Sequence, residues 1–425
     1  MMHLDSPRWD IRALAALLLT ACVTTTAIAS PRGSLKTVEV LQHFTREAID
    51  EANRQRARSG EAKCNVRIVQ LTYESTGIKG EPEVLSAGLY VPEDCEGPFP
   101  ILAQGHGTEA RRDRLSTQVG AANTVVSFFA ARGYVVVAPD YLGLGKSDFP
   151  YHPYLHADSE ATAIVDSIRA AQTAARQLRI PVTGQVMLVG YSQGGHAAMA
   201  AQREIERHYR DEINLVASAP IAGPYHLSQT FMASWFGYTG GETNVFASEL
   251  LSYTLVSYNR IYRTLYKGPT QLFSEPYASR VEQLFSGSLD LSEINERKLL
   301  PPGNRLNDLR NPAFTASFML DERHPLRVAL KKNDLLDFTP RAPMLLCGSR
   351  RDAIVDFQNA YAAQAAFRTR GADVTVVDVA DEIPPSANGA AHHLGYSYLC
   401  YAKVRELLFD PIVQAEKTLR AAKRD

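Results

Sequence analysis

A glycine-rich junction between an apolar segment and an alanine-rich segment constrains the fold of this chain more than any other feature. Residues 186–190 read VMLVG, an apolar run that suits a buried strand. Residues 194–207 follow almost at once and carry the alanine-rich pattern of a helix. A strand that passes directly into a helix is typical of β-α-β units, which build parallel sheets covered by helices. The junction therefore predicts an α/β fold.

The same alternation continues on both sides of this junction. Further strands are predicted at 100–104, 134–139, 215–223, 342–348 and 373–379, and helices at about 116–131, 158–178, 356–369 and 395–409. Before them, residues 66–74 and 84–91 predict an antiparallel hairpin, and residues 36–57 predict a helix that precedes it. An antiparallel start followed by alternation predicts a mostly parallel sheet with helices on both faces.

The alternation stops in residues 229–338, which are rich in Tyr, Phe, Leu, Pro and Ser. About 110 residues are too many for a loop inside a compact domain. We therefore predict a helical cap at 229–338, inserted between two parts of an α/β core at 30–228 and 339–425. A second, independent domain is the alternative, but the sheet pattern resumes after the segment and no linker flanks it.

The first 29 residues have the pattern of a signal peptide, 1–29. Two arginines precede an apolar run at 13–23, which is too short to span a bilayer as a helix. Residues 27–29, Ala-Ile-Ala, form a small-x-small cleavage site, whereas residues 19–22, Leu-Thr-Ala-Cys, resemble a lipobox that would place a lipid anchor on Cys22. Both exits stay open. Either one predicts an exported protein, whether secreted, periplasmic or held as an outer-membrane lipoprotein.

Charge and cysteine content limit the partners and the compartment. Lys and Arg number 45 and Asp and Glu number 46, so the charge balance gives no reason to expect nucleic acid as a partner. Four cysteines remain beyond Cys22, an even number that permits two disulfides in an exported chain. Cys64 lies just before the first strand of the predicted hairpin and Cys95 just after the second. Antiparallel pairing brings those ends together, so we predict a Cys64–Cys95 disulfide.

Ser192 is the candidate nucleophile. Gly190, Ser192 and Gly194 fit the pattern G-x-S-x-G at a strand-to-helix junction, the context that gives this pattern a structural meaning. A serine on such a turn projects above the sheet, and the N-terminus of the helix beneath it offers free N–H groups to a developing oxyanion. An inert serine in a small-residue turn is the alternative, and the flanking strand and helix argue against it.

A serine hydroxyl needs a base, and the base needs an orienting acid. For a serine on such a junction, the acid follows it in the chain and the histidine follows the acid. Asp352 lies just past the strand predicted at 342–348, whereas its competitor Asp356 suits the N-cap of the next helix better. His392 and His393 follow the last predicted strand. We expect His393 to be the base because it stands at the loop-to-helix junction, with His392 as the alternative.

Two backbone N–H groups are expected to bind the oxyanion. One belongs to Gln193, the residue after the serine. The other is expected in the glycine-rich loop at 104–110, QGHGTEA, where we favour the N–H of Thr108. His106 in the same loop is expected to be structural, because it precedes the serine in the chain.

Several stretches together resemble the α/β-hydrolase superfamily, and within it the secretory lipase and esterase group, whose members carry a helical lid before the catalytic acid. The stretches lie within 65–230 and 340–410 and read GHGT, APDYLGLGKSD, HPYLHADSEATAIVDSIRAA, GYSQGGHAA and CGSRRDAIVDF. The resemblance implies an α/β-hydrolase fold with a catalytic triad of Ser192, Asp352 and His393 and with oxyanion donors at Thr108 and Gln193.

Two features depart from that resemblance. Asp352 lies four residues after Gly348, whereas many relatives place the acid three residues after the corresponding glycine. The histidine expected after the last strand is doubled, at His392 and His393. Both departures concern the identity of single residues and leave the predicted fold unchanged.

These residues predict an exported serine esterase or lipase that cleaves a small-molecule or lipid ester through an acyl-enzyme intermediate. A serine peptidase on the same fold is one alternative, because amide and ester hydrolysis share this machinery, and a non-catalytic exported binding protein is another. No metal and no cofactor are expected, since the chain has no C-x-x-C pair and no phosphate-binding loop. Apolar side chains of residues 230–275 are expected to line the acyl pocket.

Overall fold

A computed structural model describes residues 3, 30–54, 60–237, 246–384 and 389–423 of the chain. The predicted signal peptide and Cys22 lie outside the described residues, so export and lipid anchoring stay predictions. No helix within the described ranges is long and apolar enough to cross a membrane.

Nine strands of the described residues form one sheet. They are β1 (Leu35–Phe44), β2 (Asn65–Thr76), β3 (Pro82–Glu93), β4 (Phe99–Gly105), β5 (Val135–Pro139), β6 (Val182–Tyr191), β7 (Asn214–Ile221), β8 (Met344–Gly348) and β9 (Val374–Asp378). Their order is β1-β2-β3-β5-β4-β6-β7-β8-β9. The pairings from β1 to β5 are antiparallel, and those from β5 to β9 are parallel. The predicted mostly parallel sheet with an antiparallel start is confirmed.

The helices follow the strands in alternation outside one long segment. They are α1 (Arg46–Ala52), α2 (Thr124–Phe128), α3 (Ala157–Gln177), α4 (Gln193–Glu204), α5 (Leu227–Trp235), α6 (Ala247–Tyr262), α7 (Val281–Leu284), α8 (Leu291–Glu296), α9 (Leu306–Leu309), α10 (Pro312–Leu320), α11 (Pro325–Lys332), α12 (Gln358–Arg368), α13 (Gly389–Gly395), α14 (Ser397–Val404) and α15 (Asp410–Ala422). Short 3₁₀ turns occupy Ala130–Arg132, Pro269–Gln271, Gly303–Arg305 and Ala380–Glu382, and π-helical turns occupy Ile205–Tyr209 and Arg405–Phe409.

Helices cover both faces of the sheet. On one face, Ile164 of α3 and Ala197 of α4 belong to the same buried core as Leu188 of β6. On the other face, Phe128 of α2 and Leu399 of α14 share a buried core with the opposite side chains of the strands. The short alanine side chains of α3 and α4 let these helices approach the sheet closely, which places the start of α4 directly against the end of β6.

Between β7 and β8 the described residues form helices, turns and one isolated β-bridge. We call residues 227–338 the helical segment. It has an apolar core of its own, which includes the buried side chains of Trp235, Tyr258 and Phe318. Tyr253 of α6 stacks on Tyr154, which precedes α3, with ring centroids 4.4 Å apart. The division into core and cap at residues 228 and 338 stays a prediction.

Two predicted helices were wrong in extent or type. Where the structure describes the range 36–57, up to residue 54, Leu35–Phe44 form the edge strand β1 and Arg46–Ala52 alone are helical. Pairing with β2 decides this, because its backbone hydrogen bonds outweigh local helix propensity. The helix predicted at 116–131 shrinks to α2 and a 3₁₀ turn. Asn123 ends the preceding loop, since its side chain accepts the N–H of Val125 at 2.8 Å and caps α2.

The predicted hairpin and the disulfide that depends on it are confirmed. β2 and β3 pair antiparallel from Asn65 opposite Glu93 onward. This register places Cys64 beside Cys95, and the two form a disulfide with their Cα atoms 5.1 Å apart. A second disulfide joins Cys347 and Cys400, whose Cα atoms are 5.6 Å apart.

Candidate active site

Ser192 occupies a sharp turn between the last residue of β6 and the first residue of α4. Its backbone has φ 59° and ψ −120°, a conformation that costs a non-glycine residue on the order of 1–3 kcal/mol. The turn is held from below, because the N–H of Ser192 donates to the carbonyl of Ile221 at 2.9 Å. The strand and the helix thus force the serine into a strained position at the carboxyl end of the sheet.

Glycines on both sides of Ser192 allow this close crossing of strand and helix. A Cβ at Gly190 would lie 2.0 Å from the carbonyl oxygen of Gly194, and a Cβ at Gly194 would lie 2.1 Å from the carbonyl oxygen of Gly105. Backbone atoms cannot yield that much space, so a side chain at Gly190 would force β6 and α4 apart, and one at Gly194 would force α4 away from the end of β4. The G-x-S-x-G pattern is therefore a packing requirement of the turn.

His393, on α13, lies between Ser192 and Asp352. Its Nε2 is 3.0 Å from Ser192 Oγ, and its Nδ1 is 2.6 Å from Asp352 Oδ2. His393 is 2 % exposed and Asp352 is 9 % exposed, so both hydrogen bonds are largely shielded from water. The structure thus brings together the three side chains that the sequence singled out, although they come from three distant parts of the chain.

The carboxylate of Asp352 is held by four hydrogen-bond donors. Its Oδ1 accepts the N–H groups of Ile354 at 2.8 Å and Val355 at 3.0 Å. Its Oδ2 accepts the Tyr396 hydroxyl at 2.6 Å besides the bond to His393. Burial alone would raise the pKa of Asp352, but His393 and the hydrogen bonds lower this pKa below its ordinary value. The carboxylate therefore stays ionised and fixed in orientation.

The two alternatives left open by the sequence lie elsewhere. His392 is buried, and its Nε2 is 2.7 Å from the hydroxyl of Ser349. Asp356 accepts the N–H of Gln358 at 2.9 Å and caps the start of α12, as its position before that helix suggested. His393 and not His392 therefore contacts Ser192, and Asp352 and not Asp356 contacts His393.

The loop after β4 lies against Ser192 from the other side. A Cβ at Gly107 would be 4.0 Å from the Cβ of Ser192, so the loop backbone passes close to the serine. Thr108 follows, and its hydroxyl is 2.8 Å from the Tyr154 hydroxyl. The ring of His106 lies against Tyr141, with ring centroids 4.2 Å apart, and its Nδ1 is 2.7 Å from the carbonyl of Gly107. These contacts shape the loop in which Thr108 was expected to donate.

Two cavities meet at Ser192. The larger, of about 480 Å³, is lined by Thr108, Ser192 and His393, by apolar side chains such as Leu250 and Leu291, and by polar groups, among them Glu109, Arg114, Ser116 and Asp290. The smaller, of about 70 Å³, is lined by Ser192, Gln193 and mostly apolar side chains of α5, α6 and the loop after β8, namely Leu227, Phe231, Ala247, Leu250, Leu251, Ile354 and Val355. The prediction that residues 230–275 reach the site agrees with this lining.

One histidine pattern bears on metal binding. His152 and His156 have the four-residue spacing of a metal-ligand pair. Their rings are committed to other groups: His152 lies 2.8 Å from the carbonyl of Leu142, and His156 lies 3.1 Å from the hydroxyl of Ser159. Within the described part of the chain, no group of three His, Cys, Asp or Glu side chains is arranged to hold a metal ion.

The sheet order, the strained serine turn and the helical segment between β7 and β8 define the chain as an α/β-hydrolase. A sequence model of the secretory lipase family matches residues 109–241. The rice cell wall degrading esterase LipA from Xanthomonas oryzae superposes with a TM-score of 0.83 at 41% identity, covering 90% of this chain and 100% of that chain. A ligand-bound form of LipA gives a TM-score of 0.84 at 40% identity over the same shares. The chain belongs to the secretory lipase and esterase family and is a carboxylic ester hydrolase.

Two more distant structures support the fold alone. A putative hydrolase from Legionella pneumophila has a TM-score of 0.76 at 24% identity, covering 87% of this chain and 95% of that chain. Candida antarctica lipase A has a TM-score of 0.59 at 18% identity, covering 82% and 76%. In the comparison with curated protein sequences, no relative matches.

Proposed function

We propose that the protein is an exported serine esterase in which Ser192 is the nucleophile, His393 the general base and Asp352 the acid that orients it. The observation that carries this proposal is the continuous chain of hydrogen bonds from Ser192 Oγ through both nitrogens of His393 to Asp352, at 3.0 and 2.6 Å. A neutral imidazole between a hydroxyl and a carboxylate can take the hydroxyl proton while its other N–H stays on the carboxylate.

The reaction has two halves. In the first, Ser192 Oγ bonds to the ester carbonyl carbon as its proton passes to His393, and the alcohol then leaves with that proton. In the second, a water molecule gives a proton to His393 and attacks the acyl-serine, which releases the acid and restores the serine hydroxyl. The N–H groups of Gln193 and Thr108 would bind the oxyanion in both halves.

The two cavities suggest how an ester would lie. A cavity of about 150 Å³ holds a benzene molecule. The 70 Å³ cavity beside Gln193 is half that size and mostly apolar, so it suits a short acyl chain. The 480 Å³ cavity that also reaches Ser192 is much larger and includes charged side chains such as Arg114 and Asp290, so it suits a larger alcohol portion. The preferred substrate in this proposal is a short-chain ester of a bulky alcohol.

Export is part of the proposal. The described residues hold two disulfides, which persist in oxidising compartments outside the cytosol. The signal-like pattern of residues 1–29 points the same way, and cleavage after Ala29 or lipid attachment at Cys22 are the two exits it offers. Mass spectrometry of the mature N-terminus distinguishes them, since a lipid on Cys22 adds mass that cleavage after Ala29 does not.

The name of the Xanthomonas relative supplies a substrate class to test. That protein is called a rice cell wall degrading esterase. Esters in plant cell-wall material are therefore a reasonable first panel for this chain, beside simple nitrophenyl esters. Release of short carboxylic acids from such material, measured with wild-type protein and with the Ser192→Ala variant, tests whether the resemblance extends to the substrate.

The catalytic proposal is tested by replacing Ser192 with alanine. Ser192→Ala should lower kcat by about 10⁴-fold or more, because triad members act as a unit. Ser218→Ala is the matched control, since Ser218 is a buried serine of β7 whose hydroxyl finds no hydrogen-bond partner among the described residues. Fluorophosphonate should label wild-type Ser192 and leave the Ser192→Ala variant unlabelled. Hydrolysis that survives in Ser192→Ala above a tenth of the wild-type rate would contradict the proposal.

A further inference from the structure

A buried polar network lies directly under the first turn of α4. The side-chain Nε2 of Gln193 donates to Glu160 Oε1 at 2.8 Å, and Nδ1 of His196 is 2.6 Å from Glu160 Oε2. Gln193 and Glu160 are 1 % exposed, and His196 is fully buried. A carboxylate in such surroundings is costly unless every oxygen is bonded. Both oxygens of Glu160 are engaged, one by Gln193 and the other by His196, two residues of the helix turn that follows Ser192.

The hydrogen bonds of His196 show that this network holds a proton between two residues. Nε2 of His196 is 2.9 Å from the carbonyl oxygen of Asn333, which can only accept, so Nε2 must carry a proton. The short contact between Nδ1 and Glu160 needs a second proton. His196 and Glu160 together therefore hold two protons, whereas a neutral imidazole beside an ionised carboxylate would hold one. Each of the two residues is bonded on both sides, which locks its orientation.

His152 completes the shell around Gln193. Burial lowers the pKa of His152 to about 4, so its ring is neutral. Nδ1 donates to the carbonyl of Leu142 at 2.8 Å, which leaves Nε2 as an acceptor for the Gln193 amide at 2.7 Å. Both N–H groups of that amide are thus committed, one to Glu160 and one to His152. The Gln193 side chain has a single orientation in this shell.

The network also reaches the helical segment. Asn333 follows α11, and its side-chain Nδ2 donates to the Tyr262 hydroxyl at the end of α6 at 2.9 Å. Its Oδ1 accepts the N–H of Ala157, the first residue of α3, at 2.9 Å. His196 is bonded to the backbone of the same asparagine. The helical segment and the turn after Ser192 are therefore connected through one buried residue.

We propose that Glu160 is a positioning residue for ester hydrolysis. By accepting from Gln193 and His196, it fixes the first turn of α4, so that the backbone N–H of Gln193 points at the oxyanion formed on Ser192. Through Asn333 it ties that N–H to the helical segment. This inference rests on the proposed function, in which Ser192 is the nucleophile and Gln193 an oxyanion donor. Buried hydrogen bonds to both oxygens of Glu160 restrict the motion of Gln193 and His196, and an oxyanion donor acts only when held in place.

The test compares two buried carboxylates of the same helix. Glu160→Ala should lower kcat by about 10- to 100-fold with little change in KM, because a displaced donor is lost mainly in the transition state. The rate of fluorophosphonate labelling should fall by the same factor. Asp166→Ala is the control, since Asp166 is fully buried on α3 and bonded to Arg32, Arg169 and Ser75. It should lower the melting temperature while leaving kcat near that of the wild type.

A conservative variant separates positioning from mere filling of space. In Glu160→Gln the new amide can still accept from Gln193, and its N–H can donate to Nδ1 of His196, whose remaining proton stays on Nε2. We expect this variant to recover most of the kcat that Glu160→Ala loses. A Glu160→Gln protein as slow as Glu160→Ala would overturn the inference, as would a Glu160→Ala protein with wild-type kcat.

A second variant decides the matter if Glu160→Ala does not fold. Gln193→Met keeps the backbone N–H and the side-chain length but removes both donors to the network. It should show the same loss of kcat at nearly constant KM, and normal kcat in Gln193→Met would overturn the inference. Failure of the proposed function is recognised separately, because hydrolysis and labelling would then persist in Ser192→Ala whatever residue stands at 160.

Discussion

Cys347 and Cys400 form a disulfide that joins the strand leading to Asp352 to the helix that follows His393. Cys347 belongs to β8 and Cys400 to α14, and both are buried. The two residues that must meet at 2.6 Å, Asp352 and His393, lie on the chain between them. The covalent bond therefore closes a loop that contains both Asp352 and His393, and it limits how far β8 and α14 can separate.

We expect loss of this disulfide to affect both stability and catalysis. Closing a loop of this length contributes about 4 kcal/mol in the chain-entropy model, so Cys347→Ser with Cys400→Ser should lower the free energy of unfolding by up to that amount. At temperatures where the variant is still folded, its kcat should also be lower, because the segments that carry Asp352 and His393 are no longer tied together. The pair Cys64→Ser and Cys95→Ser is the control: it should cost similar stability and leave kcat unchanged. Equal kcat in both double variants would refute the link to catalysis.

The adjacent histidines supply a matched pair of variants. His393→Ala should lower kcat as much as Ser192→Ala, and the combination of the two should be no worse, because they act on the same proton. His392→Ala should cost far less activity, since that ring is bonded to Ser349. Steady-state rates with a nitrophenyl ester compare the three single variants and the double variant. If His392→Ala proved the more damaging change, the base would have to be reassigned.

Tyr396→Phe should shift the acid limit of stability. The pKa of Asp352 is lowered in the folded protein, so its ionised form stabilises the fold above the ordinary pKa of about 4, and this contribution is lost as the pH falls through the folded value. Removing the Tyr396 hydroxyl takes away one donor and lets the folded pKa rise. We therefore expect lower stability at neutral pH, by about 2 kcal/mol, and acid unfolding that begins at higher pH.

The measurement for Tyr396→Phe is unfolding by urea at a series of pH values. Tyr361→Phe, at an exposed position of α12, is the control and should follow the wild-type curve. An unchanged acid limit in Tyr396→Phe would mean that the other donors to Asp352 suffice.

The size of the apolar cavity predicts the chain-length profile. Catalytic efficiency should rise from acetyl esters as methylenes are buried, by at most about 0.8 kcal/mol each, and then fall once the cavity is full. Leu251→Ala should move the optimum to longer acyl chains, because Leu251 lines the 70 Å³ cavity. Leu291→Ala, in the 480 Å³ cavity, should leave the optimum in place. Preference for acetyl esters in every variant would exclude this cavity as the acyl pocket. A chelator is expected to leave all rates unchanged.

The alternation of strand and helix patterns along the chain was enough to predict the α/β fold, and the local pattern around Ser192 was enough to predict the sharp turn there. A strand, a sharp turn and a helix are defined by residues close together in the chain, so their pattern is visible in the sequence. The Cys64–Cys95 disulfide was predictable for a similar reason, because the register of one hairpin places both cysteines at the same end. Sequence also placed the long helical insertion, since its lack of buried strands interrupts a regular alternation.

Other features depend on contacts between distant parts of the chain. Residues 35–44 form a strand only because β2 offers an edge for pairing, and no local signal reveals that partner. Tyr396 and Glu160 escaped notice because a hydroxyl or a carboxylate in a helix gains its role from whatever it meets in the fold. Adjacent residues of one helix point in directions about 100° apart, so packing alone determines that His393 faces Ser192 while His392 faces Ser349. The sequence by itself determined which residue types gather at this edge of the sheet; tertiary packing decided which of them touch.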